Sequence, residues 1–215
     1  IKSMKTEEEK VWGKYMNEKF FDLKKEKQDR MINASLKIFA LNGYRHASTD
    51  DIVAEAGISK GLLFHYFINK LGLYSFLYDY STRFMMLELS GCPVKDQEDF
   101  FELLRMKENA KMQVLRNYPY MQLFLDSVRF EDVKEALYAT EERRNMLPEA
   151  EKAFMKRADL TCFRPEVDID KLNKMISYTL RGMMEDRFLE NSFHPDMLNE
   201  ETGAYLSMLK KLTYK

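Results

Sequence analysis

The chain has 215 residues, 45% of them hydrophobic, and a formal net charge of -1; this is enough for one helical body, or a small domain on a larger one, with a real core. Cys92 and Cys162 lie far apart outside any CxxC pattern, and His46, His65 and His194 share no metal-ligand spacing. With no phosphate-cradling glycine loop either, the composition argues against an enzyme, a metal and a cofactor. It shows no apolar run of membrane-spanning length and no signal-peptide order, so a cytoplasmic, reduced setting without membrane contact is expected.

Residues 1–21 form a charged start followed by Val11, Trp12, Tyr15 and Phe20 at loosely helical spacing, which reads as an extra helix or an arm. Residues 22–42 are a clear helix. Met31, Ile32, Ser35, Leu36, Ile38, Phe39 and Ala40 make an apolar stripe, with Lys24, Lys25, Lys27 and Arg30 near its start. Asn42 and Gly43 end it.

The next stretch reads as two short helices around a tight turn. Thr49 is placed to cap the first, with Asp50 and Asp51 at the positive end of its dipole. Gly57 can end it in a left-handed conformation, and Ile58 plugs the corner. Ser59 opens the second helix, on which Leu63 and Phe67 share an inward face while Lys60, Gly61, Phe64 and Tyr66 lie on other faces. Such a pair is a helix-turn-helix, whose second helix enters the major groove by its N-terminal residues. The charge distribution agrees: residues 1–70 carry thirteen Lys/Arg against ten Asp/Glu, leaving twenty-one against twenty-five beyond them. A mildly basic end fits DNA, although a solvated helical surface produces the same small asymmetry.

The wording of this stretch is more specific than its shape. Gly43, Tyr44, Thr49, Ile52, Ala56, Gly57, Ile58, Ser59, Lys60, Gly61, Leu63, Tyr66, Phe67 and Lys70 together resemble the N-terminal DNA-binding domain of the tetracycline-repressor (TetR-type) family of bacterial transcriptional regulators. The resemblance covers about residues 29–73. It implies DNA-facing roles for Thr49, Lys60, Gly61, Leu62, Phe64, Tyr66 and Lys70, and core roles for Ile52, Ile58, Leu63 and Phe67. His65 reads as a bystander or phosphate neighbour. Two departures stand out: Leu62 and Phe64 replace a small hydroxyl residue and a Tyr, and Leu71 and Gly72 replace acidic residues that would help cap the next helix. Met16, just before the resembling stretch, leaves open that the family's usual start falls there and that the residues before it are an extension; residues 1–21 read either as an arm reaching a minor groove or as a frayed or partner-packed terminus.

Helical periodicity returns at 70–90, the connector in the resembling family, and Gly91, Cys92 and Pro93 stop it. Further helices are expected at about 97–117, 119–129, 131–145, 148–159, 168–191 and 195–212, with no strand-like alternation. The middle ones are rich in Met and aromatic residues, which form core more often than pocket. The resemblance implies an effector site there for an apolar or aromatic small molecule, with Met106, Tyr118, Met121 and Phe124 as candidates. The apolar faces of the last two helices, including Leu172, Met175, Ile176, Leu180, Met183, Tyr205 and Leu209, suit either the chain's own core or the dimer seam that the resemblance implies.

The expected fold is all-α: an extension at 1–21, a three-helix helix-turn-helix DNA-binding domain at 22–73, and a larger helical effector-binding and dimerisation domain at 74–215. The expected function is a homodimeric, small-molecule-responsive repressor on a palindromic double-stranded operator, without catalytic residues. The alternative is a non-catalytic helical adaptor, which would explain the periodicity and leave the wording of 43–70 to coincidence.

Overall fold

The computed structural model describes residues 15–93 and 98–215. They are helical almost throughout and divide into two compact units, one gathering the described residues up to Phe84 with Asn117–Leu147, the other Met85–Arg116 with Pro148–Lys215.

In the first unit, α1 (Lys25–His46) buries the expected stripe of Met31, Ile32, Ser35, Leu36 and Phe39. Its regular course breaks at Gly43, whose φ of 65° and ψ of 175° suit a residue without Cβ. Next come α2 (Thr49–Ala56), α3 (Lys60–Tyr66) and α4 (Lys70–Ser90). The hydroxyl capping α2 is that of Ser48, which accepts from the Asp50 N–H at 3.1 Å, so Thr49 is the first helical residue and not the cap expected of it. Ser48 is the residue that keeps an extended backbone (ψ 134°), which an N-cap requires. Gly57 ends α2 at φ 61°, ψ 44°, as its position predicts. At the start of α4, Asn69 Oδ1 accepts from the Gly72 N–H at 2.8 Å, so the helix keeps its N-cap bond and lacks only the reciprocal bond that an acidic residue at 72 would accept from the Asn69 N–H.

The N-terminal segment belongs to this core. Residues 1–14 of the expected arm lie outside the described residues, but Met16 pairs with Phe67 in an antiparallel bridge and Glu18–Asp22 form a 3-10 turn. Phe20 is wholly buried, its ring 5.8, 5.2 and 5.6 Å from those of Tyr66, Phe67 and Phe76. Full burial of a Phe contributes about 1.5–3 kcal/mol.

Against α1 packs α6 (Met121–Ser127), followed after a turn by α7 (Lys134–Thr140). Phe124 fills the centre against Phe39, Tyr74 and Tyr78. Buried Asp79 of α4 is paired by Arg83 at 2.9 Å and Arg143 at 2.7 Å. The helix expected at 131–145 is therefore short, running on into a 3-10 turn at Glu141–Arg143.

The second unit holds most of α5 (Phe100–Asn117) and α8 (Met146–Met155), with α9 (Ile169–Leu189) and α10 (Pro195–Thr213). Its core joins Phe100, Phe101, Leu104, Phe163, Leu172, Ile176 and Leu206. The Gln97 at which the first of these was expected to start lies outside the described residues. A two-residue parallel pair, β1 (Glu98–Asp99) on β2 (Ala158–Asp159), is the strand structure the residue pattern did not announce. At that length there is no alternation to read.

Candidate nucleic-acid interface

The second helix of the pair, α3, starts from Ser59, whose Oγ accepts from the Leu62 N–H at 3.2 Å. Leu63 is fully buried and locks the helix onto the core, which leaves its opposite side to solvent. Lys60, Gly61, Phe64 and His65 are exposed there, with Leu62 half-buried. Lys60 Nζ bonds Asp50 Oδ1 at 2.8 Å, a surface ion pair that a phosphate or base edge can replace. A Cβ added to Gly61 would meet nothing within 4 Å, so the site holds open space on the outer side, where a duplex could approach the backbone. Phe64 exposes 39% of its surface, enough for apolar contact with a thymine methyl.

Two expected contacts lie elsewhere. Tyr66 is buried, edge-on to Phe20, and its carbonyl accepts from the Asn17 N–H at 2.7 Å. It closes the core at the end of α3 and does not stand on the outer face. Lys70, first residue of α4, folds back over the Tyr44 ring at 4.6 Å and donates to the Arg45 carbonyl at 3.4 Å. Partial burial lowers its pKa, against the opposing pull of Glu131 and Glu135. Thr49 is half-buried at the start of α2. Sequence reasoning passed over Ser48 as a cap and Arg45 as an exposed cation beside Lys70; the second depends on the fold of the corner and has no local signal.

Residues 31–75 match the family model for bacterial regulatory proteins of the tetR family. The chain carries a tetR-family DNA-binding domain. A curated relative, the uncharacterized HTH-type transcriptional regulator YuxN of Bacillus subtilis (strain 168), is 36% identical over 72 residues, 31% of this chain and 25% of that protein. The chain thus spans about a quarter of that relative's length. Among solved structures, a TetR family transcriptional regulator from Chloroflexus aurantiacus J-10-FL superposes with a TM-score of 0.59 at 20% identity over 93% of this chain and 99% of that one. The TetR family regulator PfmR from Thermus thermophilus gives 0.54 at 20% identity, covering 85% and 97%. At these identities the likeness is one of fold, and it extends beyond the tetR-family domain along most of the chain.

Outside that domain the expected site residues separate. Tyr118, Met121 and Phe124 are buried in the first unit. The Tyr118 hydroxyl donates to Asp29 at 2.5 Å, accepts from Lys25 at 2.7 Å and lies 3.0 Å from the Tyr80 hydroxyl. Met106 belongs to the second unit, where it packs on Leu89, Leu103 and Phe154. Phe124 packs α6 against α1 through Phe39. An apolar cleft of about 400 Å³ does exist in the second unit, lined among others by Met86, Leu89, Cys92, Ala153, Phe154 and Arg157.

Beyond its tetR-family domain the chain uses Leu172 and Ile176 for its own core, and Leu180 and Leu209 pack partly on the same cluster. Met183 is half-buried. Met175 and Tyr205 are exposed, as are Tyr178, Met208 and Leu212. The stripe facing Phe100 and Phe101 lies one helical position away from the stripe facing solvent. Among the described residues no group of three His, Cys, Asp or Glu side chains could hold a metal, and no helix is long and apolar enough to cross a membrane.

Proposed function

We propose that this protein is a transcriptional regulator that reads a palindromic operator as a homodimer and acts as a repressor released by a small molecule. The observation that carries the reading is the exposed start of α3, where Lys60, Gly61 and Phe64 stand clear of a helix fixed from behind by Leu63 and capped by Ser59. In this reading residues 22–73 are the DNA-binding domain and 74–215 the responding and dimerising domain. Exposed Met175, Tyr178, Tyr205, Met208 and Leu212 support the homodimer, since solvent-facing apolar stripes on two helices suit a second copy. The cleft beside Phe154 supports the effector: its walls are apolar and Arg157 brings a cation to them, which suits an apolar or aromatic molecule with an acidic end. Effector binding alters DNA affinity only by its difference in affinity for the two arrangements of the dimer.

The test is fluorescence anisotropy of the full chain on duplex from its own upstream intergenic region and on a scrambled duplex, across a salt series. Preference for the upstream duplex, lost in the K60A/F64A variant with helicity retained, supports the reading. Absence of binding to any duplex at low salt overturns it in favour of the helical adaptor. Sedimentation of the free protein at micromolar concentration as a monomer would remove the homodimer.

A further inference from the structure

Arg45 and Lys70 stand at the two helix ends that flank the reading pair, Arg45 in the last turn of α1 and Lys70 opening α4. They are neighbours, joined by the bond from Lys70 Nζ to the Arg45 carbonyl. Three carboxylates from the segment that enters α7 close over this corner. Asp132 Oδ1 accepts from Arg45 Nε at 3.3 Å and Nη2 at 3.0 Å. Glu131 Oε2 accepts from the Tyr44 N–H at 2.8 Å, and Glu135 Oε1 from the Tyr44 hydroxyl at 2.9 Å. Lys70 lies over that same Tyr44 ring, within the field of Glu131 and Glu135.

We infer that the acidic strap at 131–135 is a built-in competitor for DNA phosphate, occupying Arg45 while the protein is off DNA and yielding it when a duplex docks. The inference rests on the DNA-reading function proposed above. When α3 enters a major groove, the phosphate backbone passes the helix ends on either side of it. A phosphate offers a guanidinium the same oxygen geometry as a carboxylate. The strap has a fixed part and an exchangeable part. Glu131 is fixed, because its other oxygen caps its own segment through the Asp132 and Val133 N–H groups at 3.1 and 2.9 Å. The Arg45–Asp132 pair is exchangeable: the two side chains are 56% and 71% exposed, so water already competes for them. Anything that lifts 131–135 from the corner therefore adds the Arg45 cation to the DNA-binding surface.

The test measures binding of the full chain to the upstream duplex across a salt series for wild type, D132N, R45A and D132N/R45A, with circular dichroism as the folding control. Glu131 is left intact because it holds backbone. D132N is expected to bind about two- to fivefold tighter and to steepen the slope of log K against log salt by about one. R45A is expected to change wild-type binding little and to cancel the gain of D132N. A D132N protein no tighter than wild type overturns the strap, as does a gain that survives in D132N/R45A, which would be a field effect of the lost charge. If neither wild type nor D132N binds any duplex at low salt, the DNA reading falls and the strap with it; wild-type binding without the D132N gain removes the strap alone.

Discussion

A Cβ built on Gly72 would lie 2.6 Å from the backbone carbonyl oxygen of Tyr15. Real Cβ atoms do not come that close to backbone, so the glycine at this place in α4 and the docking of the N-terminal segment require each other. The same segment donates from the Asn17 N–H to the Tyr66 carbonyl and places Phe20 under α3. G72A is expected to lose about 1–3 kcal/mol of stability, as overpacked sites do. It should also open residues 15–22 to proteolysis. Chemical denaturation and limited proteolysis measure both; a variant as stable and as resistant as wild type would show that the contact carries no weight.

The two serine caps should be separable from the threonine between them. S48A and S59A each remove a hydroxyl that accepts from a first-turn N–H, at 3.1 and 3.2 Å. Each is expected to cost about 1 kcal/mol. T49A removes no capping bond and should cost less. Urea midpoints of the three variants rank them directly, and equal losses would return a capping role to Thr49.

The fold was legible where local chemistry decides it and obscure where a distant segment does. Gly57 and Ser59 punctuate α2 and α3 through bonds within a few residues, so the pair could be read from its order of residues; Ser48 was passed over for Thr49 because adjacent hydroxyls offer the same cap. The burial of Leu63 and Phe67 follows from a four-residue spacing. Tyr66 sits beside them on α3, and which side of it faces water is settled by Phe20, forty-six residues away. Arg45 likewise owes its partner Asp132 to a distant segment, and Lys70 its place over Tyr44 to the fold of the corner. Met121 and Phe124 carry a composition that suits a pocket as well as a core, and their burial depends on the fit of α6 against α1.

Substitutions at Phe64 and Tyr66 should part DNA binding from stability. F64A truncates an exposed side chain and is expected to weaken binding to the upstream duplex by about tenfold, as the loss of roughly 1–2 kcal/mol of apolar base contact would, with little change in thermal midpoint. Y66A opens a void beside Phe20 and is expected to destabilise by about 3–5 kcal/mol. Anisotropy paired with thermal melts distinguishes them. A fully stable Y66A with lost DNA binding would put Tyr66 back on the reading face.

The second unit should be acid-sensitive through one carboxylate. Glu108 is buried on α5, with Lys111 Nζ at 2.6 Å and Lys107 Nζ at 3.8 Å. Burial pushes its pKa up, but the two ammonium groups outweigh this and hold it below the usual 4.5. A carboxylate depressed in the folded state contributes stability above its unfolded pKa and loses it as pH falls through the folded one. E108Q keeps the shape and leaves both lysines without their counter-charge. Because the lysine side chains keep 16% and 19% exposure, the loss at neutral pH should stay near or below about 3 kcal/mol, under the range for a fully buried broken pair. Urea denaturation at pH steps from neutral to below 4.5 should show wild type and E108Q converging as the carboxylate protonates. A gap that stays constant through that window would mean that Glu108 acts by packing and not by charge.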